Sequence, residues 1–263
     1  MQNVVITGST RGLGLQMAKE FLKAGCNVTV CGTTPESINK AKQELKGFEN
    51  QFFYVACNVR NLADIKSLWL KSVEKWGGVD IWINNAGQNA PSESLCSTPD
   101  GYIDAVVDTN IKGVMYGSKV ASENMLKQGH GQIWNMEGLG SNNMIVEHTI
   151  LYGTSKCALT YFTKGLAKEL KNSPVKIGRL SPGMMLTEFI TKSPTGEASS
   201  VTHDNQFKKI FNTLGDRPET VAKFFIPRIL SNTKQDAHLV WLTNGKSMKR
   251  FMISPFQKRE LLK

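Results

Sequence analysis

The chain alternates short, almost wholly apolar runs with longer segments in which apolar residues recur every three or four positions. The runs at 2–7, 27–32, 51–59, 79–87, 131–136, 175–180 and 237–242 predict strands. The segments at 12–24, 35–46, 61–76, 99–128, 150–172 and 217–231 predict helices, and in the first of them Leu13, Met17, Phe21 and Leu22 form one stripe. Strands without polar alternation are buried on both faces, as in a parallel sheet covered by helices on both sides. Right-handed crossovers wind such a succession into a doubly wound sheet. The expected fold is a single α/β domain over 1–245.

One segment breaks the pattern. Residues 184–215 are polar and rich in Ser, Thr and Gly, as in "TKSPTGEASSVTHDNQ". A loop of that length inside a compact domain is more often functional than idle, and its expected role is a lid over a substrate. The last stretch, 246–263, reads "KSMKRFMISPFQKRELLK", with six basic residues and one acid among Phe251, Met252, Ile253 and Phe256. A peripheral contact with an anionic membrane fits this tail, and so does a solvated tail or an oligomer contact.

Composition narrows the picture modestly. At 263 residues the chain is long enough to bury a core without disulfide staples. Its five cysteines (26, 31, 57, 96, 157) form no CxxC pair and meet no His cluster, so reduced thiols are expected, and no metal site. The net charge of +10 suits an anionic cofactor; no basic helix or aromatic platform supports a nucleic-acid partner. No apolar run approaches the roughly 18 residues of a membrane span. A first strand near Val4 leaves no room for a leader peptide, so the expected location is the cytosol, or the plastid stroma for a processed plant or algal protein.

Chemistry begins at "VVITGSTRGLG" (4–14), where three glycines lie between the first strand and the first helix. Glycine permits the sharp turn and close backbone approach, and amides at a helix N-terminus then meet negative charge. In this setting the loop Thr7, Gly8, Ser9, Thr10, Arg11, Gly12, Leu13 and Gly14 reads as a dinucleotide cradle, although a structural turn uses glycine too. The second strand ends in Gly32, Thr33 and Thr34, with no acid to bind a ribose diol. Arg11 offers a planar fork suited to a 2′-phosphate, so the expected cofactor is NADPH.

Tyr152 and Lys156 stand four apart at the start of a predicted helix and share one face. An ammonium beside a phenol stabilises the phenolate, making the pair a usable proton donor to a carbonyl. Taken alone the spacing is weak. It gains force from "NNAG" at 84–87, Asn110 in "DTNIKG", and "SPGMMLTE" at 181–188.

In that order and at those separations, the motifs resemble the short-chain dehydrogenase/reductase family over essentially the whole chain. The resemblance implies a Rossmann-type fold binding NAD(P)H at the carboxyl ends of its strands, with Tyr152 as general acid/base, Lys156 as its partner and a grip on the nicotinamide ribose, and Asn110 as support for a water relay. It further implies cofactor contacts from Asn58, Val59, Asn85, Ala86, Gly87, Pro182, Gly183 and Thr187, and a dimer or tetramer built on the helices at 99–128 and 150–172.

Two positions depart from the family. Asn58 stands where an Asp usually meets the adenine, and it still offers an amide. After the fifth strand, "WNMEGLGS" places Glu137 and Gly138 where a serine usually binds the substrate carbonyl; the first serine is Ser141. Unreplaced, such a donor is worth on the order of 3 kcal/mol of transition-state stabilisation. "WNMEGLGS", "YGTSKCAL", "SPGMMLTEF" and "PETVAKFFIPRI" resemble the chlorophyll b reductase branch, which implies NADPH-dependent reduction of a 7-formyl group to a hydroxymethyl group. Met184, Met185, Leu186, Phe189 and Ile190 would form an apolar wall for such a pigment, or else pack the core beneath a lid. A reductase for another ketone or aldehyde, or a cofactor-binding sensor without catalysis, is the alternative.

Overall fold

The computed structural model describes residues 1–192, 196–197, 199–257 and 259–262, with the backbone alone at Ser200 and Val201. Of the expected lid, 193–195 and 198 lie outside the described residues, as do Lys258 and Lys263 of the basic tail.

Seven strands form one all-parallel sheet: β1 (Asn3–Ile6), β2 (Asn27–Gly32), β3 (Phe52–Ala56), β4 (Ile81–Asn84), β5 (Gly131–Met136), β6 (Val175–Ser181) and β7 (Ala237–Val240). Their order is β3-β2-β1-β4-β5-β6-β7. The order reverses between β1 and β4, which opens a crevice at the carboxyl ends of those two strands. The helices are α1 (Gly12–Lys23), α2 (Pro35–Glu44), α3 (Leu62–Trp76), α4 (Gly101–Val106), α5 (Gly113–Gln128), α6 (Ile150–Glu169), α7 (Glu188–Thr191), α8 (Asn205–Leu214), α9 (Pro218–Leu230) and α10 (Asn244–Ile253).

Two apolar cores explain the missing alternation in the strands. On one face Val4, Ile6, Val28 and Ile83 pack with Met17 and Phe21 of α1 and Phe225 of α9. On the other, Val5, Trp82 and Ile133 pack with Ile65 and Leu68 of α3 and Val120 of α5. Local signals fix the element ends. Asn61 caps α3 by accepting from the Ala63 N–H at 2.8 Å, and Gly77 ends that helix in the left-handed region at φ +84°.

Three expectations change. The strand expected at 79–87 stops at Asn84, and 85–87 continue outside the ladder because Asn85 and Ala86 bond to Thr7 instead. The helix expected at 99–128 contains a π-helical turn, Val107–Lys112, with Asn110 inside it. The segment 184–215 is not a bare loop: it holds α7, a 3₁₀ turn at Ser200–His203 and α8. Asp204 caps α8 by accepting from the Gln206 N–H at 2.8 Å, and Phe211 is buried beneath it. Polar composition hid this helix, since only one narrow face of it is apolar.

Candidate active site

The chain leaves β1 at Ile6 and turns through Thr7–Arg11 into α1. Thr7 Oγ1 accepts from the N–H groups of Asn85 and Ala86, each at 3.0 Å. Asn85 Nδ2 donates back to the carbonyls of Thr7 (2.9 Å) and Gly8 (3.0 Å). Ser9 Oγ donates to the Ile6 carbonyl at 2.6 Å and accepts from the Cys31 N–H at 3.0 Å. The loop is thus pressed onto the ends of β2 and β4, so closely that a Cβ on Gly14 would stand 2.5 Å from Nδ2 of Asn85. Gly12 differs: at φ +56° its open side meets nothing nearer than the Thr187 methyl, 3.7 Å from where a Cβ would be. Among the described residues no side chain caps α1 and no acid sits in its first turn. Those first amides lie on residues lining the cleft, as an anion site requires.

The far end of the cleft is formed by Gly32, Thr33, Thr34, Ser37, Asn58 and Val59. Thr34 is committed to capping α2, accepting from the Ser37 N–H at 3.2 Å. The Asn58 side-chain oxygen is likewise used, accepting from the Arg60 N–H at 3.2 Å. Arg11 is 76% exposed and bonded to Glu188 at 3.2 Å. Glu188 also takes Lys192 at 2.7 Å, and these cations, Lys192 first, hold its carboxyl below the usual range. An exposed pair of this kind is worth well under about 1 kcal/mol, so Arg11 is easily recruited by another anion.

Tyr152 and Lys156 lie one turn apart in α6, at the opposite end. Lys156 Nζ donates to the Met136 carbonyl at 3.1 Å and stands 5.6 Å from the centre of the Tyr152 ring. Burial pushes the Lys156 ammonium down to about 8, opposed by the charge of Glu137. Burial also pushes the Tyr152 phenol above its ordinary value. The expected acidification by the lysine is therefore absent in the free chain: the ammonium is engaged with a carbonyl, and loss of water dominates at the phenol. Tyr152 keeps its proton at neutral pH, as a donor must. Phe189 packs against its ring, with centroids 5.6 Å apart.

Asn110 has every polar atom engaged. Its Oδ1 accepts from the Gln88 N–H at 2.7 Å, and its Nδ2 donates to the Gln88 carbonyl and to Ser155 Oγ, each at 3.0 Å. Ser155 donates in turn to the Tyr152 carbonyl at 2.7 Å. The π turn, a feature that often marks functional positions, lets this one side chain clasp the strand exit and the start of α6 together.

Gly138 occupies the position of the absent serine. A Cβ there would come 2.5 Å from Tyr152 Oη. Ser141 does not take over that place: its Oγ accepts from the Gly138 N–H at 3.1 Å and donates to the Lys156 carbonyl at 3.3 Å, so it braces the turn. Pro182 and Gly183 form the turn after β6, where Gly183 has φ +72° against Leu242, and Thr187 is the residue just before α7.

One cluster was not found from sequence. The buried Glu137 carboxylate meets His238 Nε2 at 2.7 Å, Thr160 Oγ1 at 3.2 Å and Arg179 Nη1 at 3.4 Å. Burial would raise its carboxyl, but His238 and Arg179 together outweigh that and lower it. Arg179 and His238 sit on different strands and meet only because β6 and β7 pair in that register. Gln88 and Ser155 were also missed, being ordinary residue types whose roles come from Asn110.

Gly8, Thr10–Gly14, Thr33, Thr34 and the Tyr152–Lys156 wall line one continuous cleft of about 2070 Å³, whereas Thr7 and Ser9, expected among the cofactor contacts, are buried outside its lining and brace the loop instead. Its open Gly12 face and uncapped helix end fit a dinucleotide's phosphates, and Lys156, Thr187 and the Asn85–Gly87 strand exit line the part that fits its nicotinamide half.

A sequence profile described as short chain dehydrogenase matches residues 2–198. The chain is 34% identical over 255 residues to an Arabidopsis thaliana protein named chlorophyll(ide) b reductase NOL, covering 93% of this chain and 71% of that one. It is 35% identical over 246 residues to an Oryza sativa subsp. japonica protein named probable chlorophyll(ide) b reductase NYC1, covering 87% of this chain and 47% of the relative. It thus spans about half of the one relative and seven-tenths of the other. The solved structure of ElxO with NADP bound superposes with a TM-score of 0.80 at 27% identity, over 93% of this chain and 98% of that one. By profile, relatives and sheet order alike, this chain belongs to the short-chain dehydrogenase family.

Proposed function

We propose that the chain is an NADPH-dependent carbonyl reductase acting on the formyl group of a chlorophyll b-type pigment. The observation that carries this is the Tyr152 phenol standing over bare backbone at Gly138, protonated, in the wall of a cleft far larger than a dinucleotide fills. Ligand pockets usually run to roughly 1,000 Å³, and this one has about twice that, room for a cofactor and a broad flat ring together. When bound, the reduced nicotinamide supplies the hydride. Tyr152 would supply the proton to the carbonyl oxygen, so that aldehyde, hydride and proton together make the primary alcohol. Lys156 grips the ribose and, once its ammonium turns from Met136 toward the phenol, eases that proton away. Asn110, through Ser155, fixes the helix start that aims Tyr152. Glycine at 138 removes one donor but also removes bulk beside the phenol, which suits an aldehyde on a rigid macrocycle.

Arg11 and the acid-free Gly32–Thr34 turn favour NADPH over NADH. The identity to relatives named chlorophyll(ide) b reductase favours the pigment, and their being named chloroplastic favours the plastid as compartment. The test is NADPH oxidation with chlorophyll b, chlorophyllide b and simple aromatic aldehydes, following the pigment's absorption. Conversion to the 7-hydroxymethyl product, lost in Tyr152→Phe, is the expected result. Turnover of small carbonyls with none of either pigment overturns the substrate assignment.

A further inference from the structure

Helix α10 is built with its polarity reversed. Two of its three cations face the body of the protein: Arg250 bonds both oxygens of Asp216, at 2.8 and 3.0 Å, and Lys246 Nζ lies 2.8 Å from the centre of the Trp241 ring. Its apolar residues face outward. Met248 is 65% exposed, Phe251 51% and Met252 63%, and Phe256 just beyond the helix is 90% exposed. The spacing 248, 251, 252 puts three of them on one stripe. Single exposed apolar side chains are common on any protein, but a contiguous set on a helix whose polar side is anchored inward is a presented surface.

The presentation is firm. Asp216 is buried, and besides Arg250 it takes Arg259 at 2.9 Å and the Trp241 indole N–H at 2.6 Å. Exposed Lys249 flanks the stripe, exposed Lys209 lies on α8 beside it, and Asn244–Phe256 contains no acid. Phe251 also lines the cleft, as do Ile210 of α8 and, from the 138–150 segment, Met144 and Val146; all four are exposed. Apolar side chains thus stand around the mouth of the cleft.

We propose that α10 and Phe256 dock the protein on an anionic lipid surface, with the cleft mouth toward the bilayer. A second copy seated on this face would close the entrance and set basic residues against each other in a chain of net charge +10. An anionic lipid surface meets the apolar stripe and the lysines together, and leaves the mouth open to a substrate dissolved in the membrane. This docking stands whichever carbonyl is reduced, and it is read without turnover.

The test is flotation of the full chain with phosphatidylcholine vesicles and with vesicles containing phosphatidylglycerol. Binding is expected to the anionic vesicles, weakening with salt. The triple variant Met248→Ser, Met252→Ser, Phe256→Ser should bind about tenfold or more weakly, and Lys249→Glu should weaken binding with the stripe intact. Tyr161→Ser, which removes an exposed aromatic elsewhere on α6, should bind as the parent does. Melting temperature and NADPH affinity report that each variant is folded. Failure of the parent to float with anionic vesicles, or full binding by the triple variant, overturns the proposal. So does a parent that is oligomeric by light scattering without lipid and falls apart in the triple variant, which assigns the stripe to a second copy.

Discussion

A Cβ built on Gly138 would stand 2.5 Å from the hydroxyl of Tyr152, and 3.3 Å from Lys156 Cε. The phenol already occupies the space that a serine side chain would need. The missing serine is therefore coupled to the position of the acid: restoring one displaces the other. Gly138→Ser should lower kcat by roughly 100-fold, the usual cost of moving a reacting group by about an ångström. NADPH affinity, measured by fluorescence, should hold. A rise in kcat would show that the donor alone was missing and that the phenol tolerates the side chain.

Lys156 is held against its solvation. Its ammonium is almost fully buried with the Met136 carbonyl as its hydrogen-bond acceptor, and its value falls to about 8. A lysine depressed in the folded state binds fewer protons there than in the unfolded chain as pH rises from about 8 toward its ordinary value. Stability from this group therefore rises across that window, and the burden is fully present below it. Lys156→Met should stabilise the free chain at neutral pH by about 2 kcal/mol, after allowing for the orphaned carbonyl. That gain should shrink above pH 8, while kcat falls by at least about 100-fold. Thermal melts of parent and variant at several pH values check it; a variant less stable than the parent at pH 7 would refute it.

The sheet was legible in the sequence because buried parallel strands must be apolar on both faces: six of the seven expected runs contain an observed strand, and the run at 175–180 falls one residue short of β6. The glycine turn between β1 and α1 was legible because Gly12, at positive φ, and Gly14, packed against Asn85, take positions that a side chain would strain or crowd. What stayed hidden came from pairing. Nothing in "GRLS" or "DAHLV" announces that Arg179 and His238 flank Glu137, since that depends on the β6–β7 register. The tail was visible as basic and apolar, but which side of α10 faces outward depends on Asp216, 34 residues before the Arg250 it binds. The direction of the Tyr152 shift was likewise hidden, because it follows from burial and from where the Lys156 ammonium points.

The proposed preference for NADPH rests on Arg11. In the free chain it pairs with Glu188, and that exposed contact is weak enough to surrender to a phosphate. Arg11→Ala should weaken NADPH binding about tenfold and leave NADH nearly unchanged. Glu188→Gln should tighten NADPH slightly, since it removes a competitor for the same guanidinium. Titrations of both nucleotides against both variants decide it. Equal losses for NADPH and NADH in Arg11→Ala would remove the assignment of the 2′-phosphate to this residue.

Asp216 joins the substrate side of the cleft to the C-terminal helix. Its carbonyl accepts from the Leu186 N–H at 2.9 Å, and its own N–H donates to the Met184 carbonyl at 3.0 Å, while its carboxylate holds Arg250, Arg259 and the Trp241 indole. Burial would raise its carboxyl, yet those partners outweigh it and hold the group below the usual range. Its stabilising contribution is therefore complete above the ordinary carboxylate value, and is lost as acid protonates it through the lower folded value. Asp216→Asn leaves two guanidinium groups facing a neutral amide, at a cost of about 3 kcal/mol, which lowers Tm by roughly 8 °C. The variant should also release the C-terminal segment to protease at neutral pH, while the rest of the chain resists. Replacing Arg250 and Arg259 by Met in the same variant should recover part of the lost Tm, because it removes the unpaired charges. If Asp216→Asn alone melts like the parent, the carboxylate is not what fastens α10 to the body.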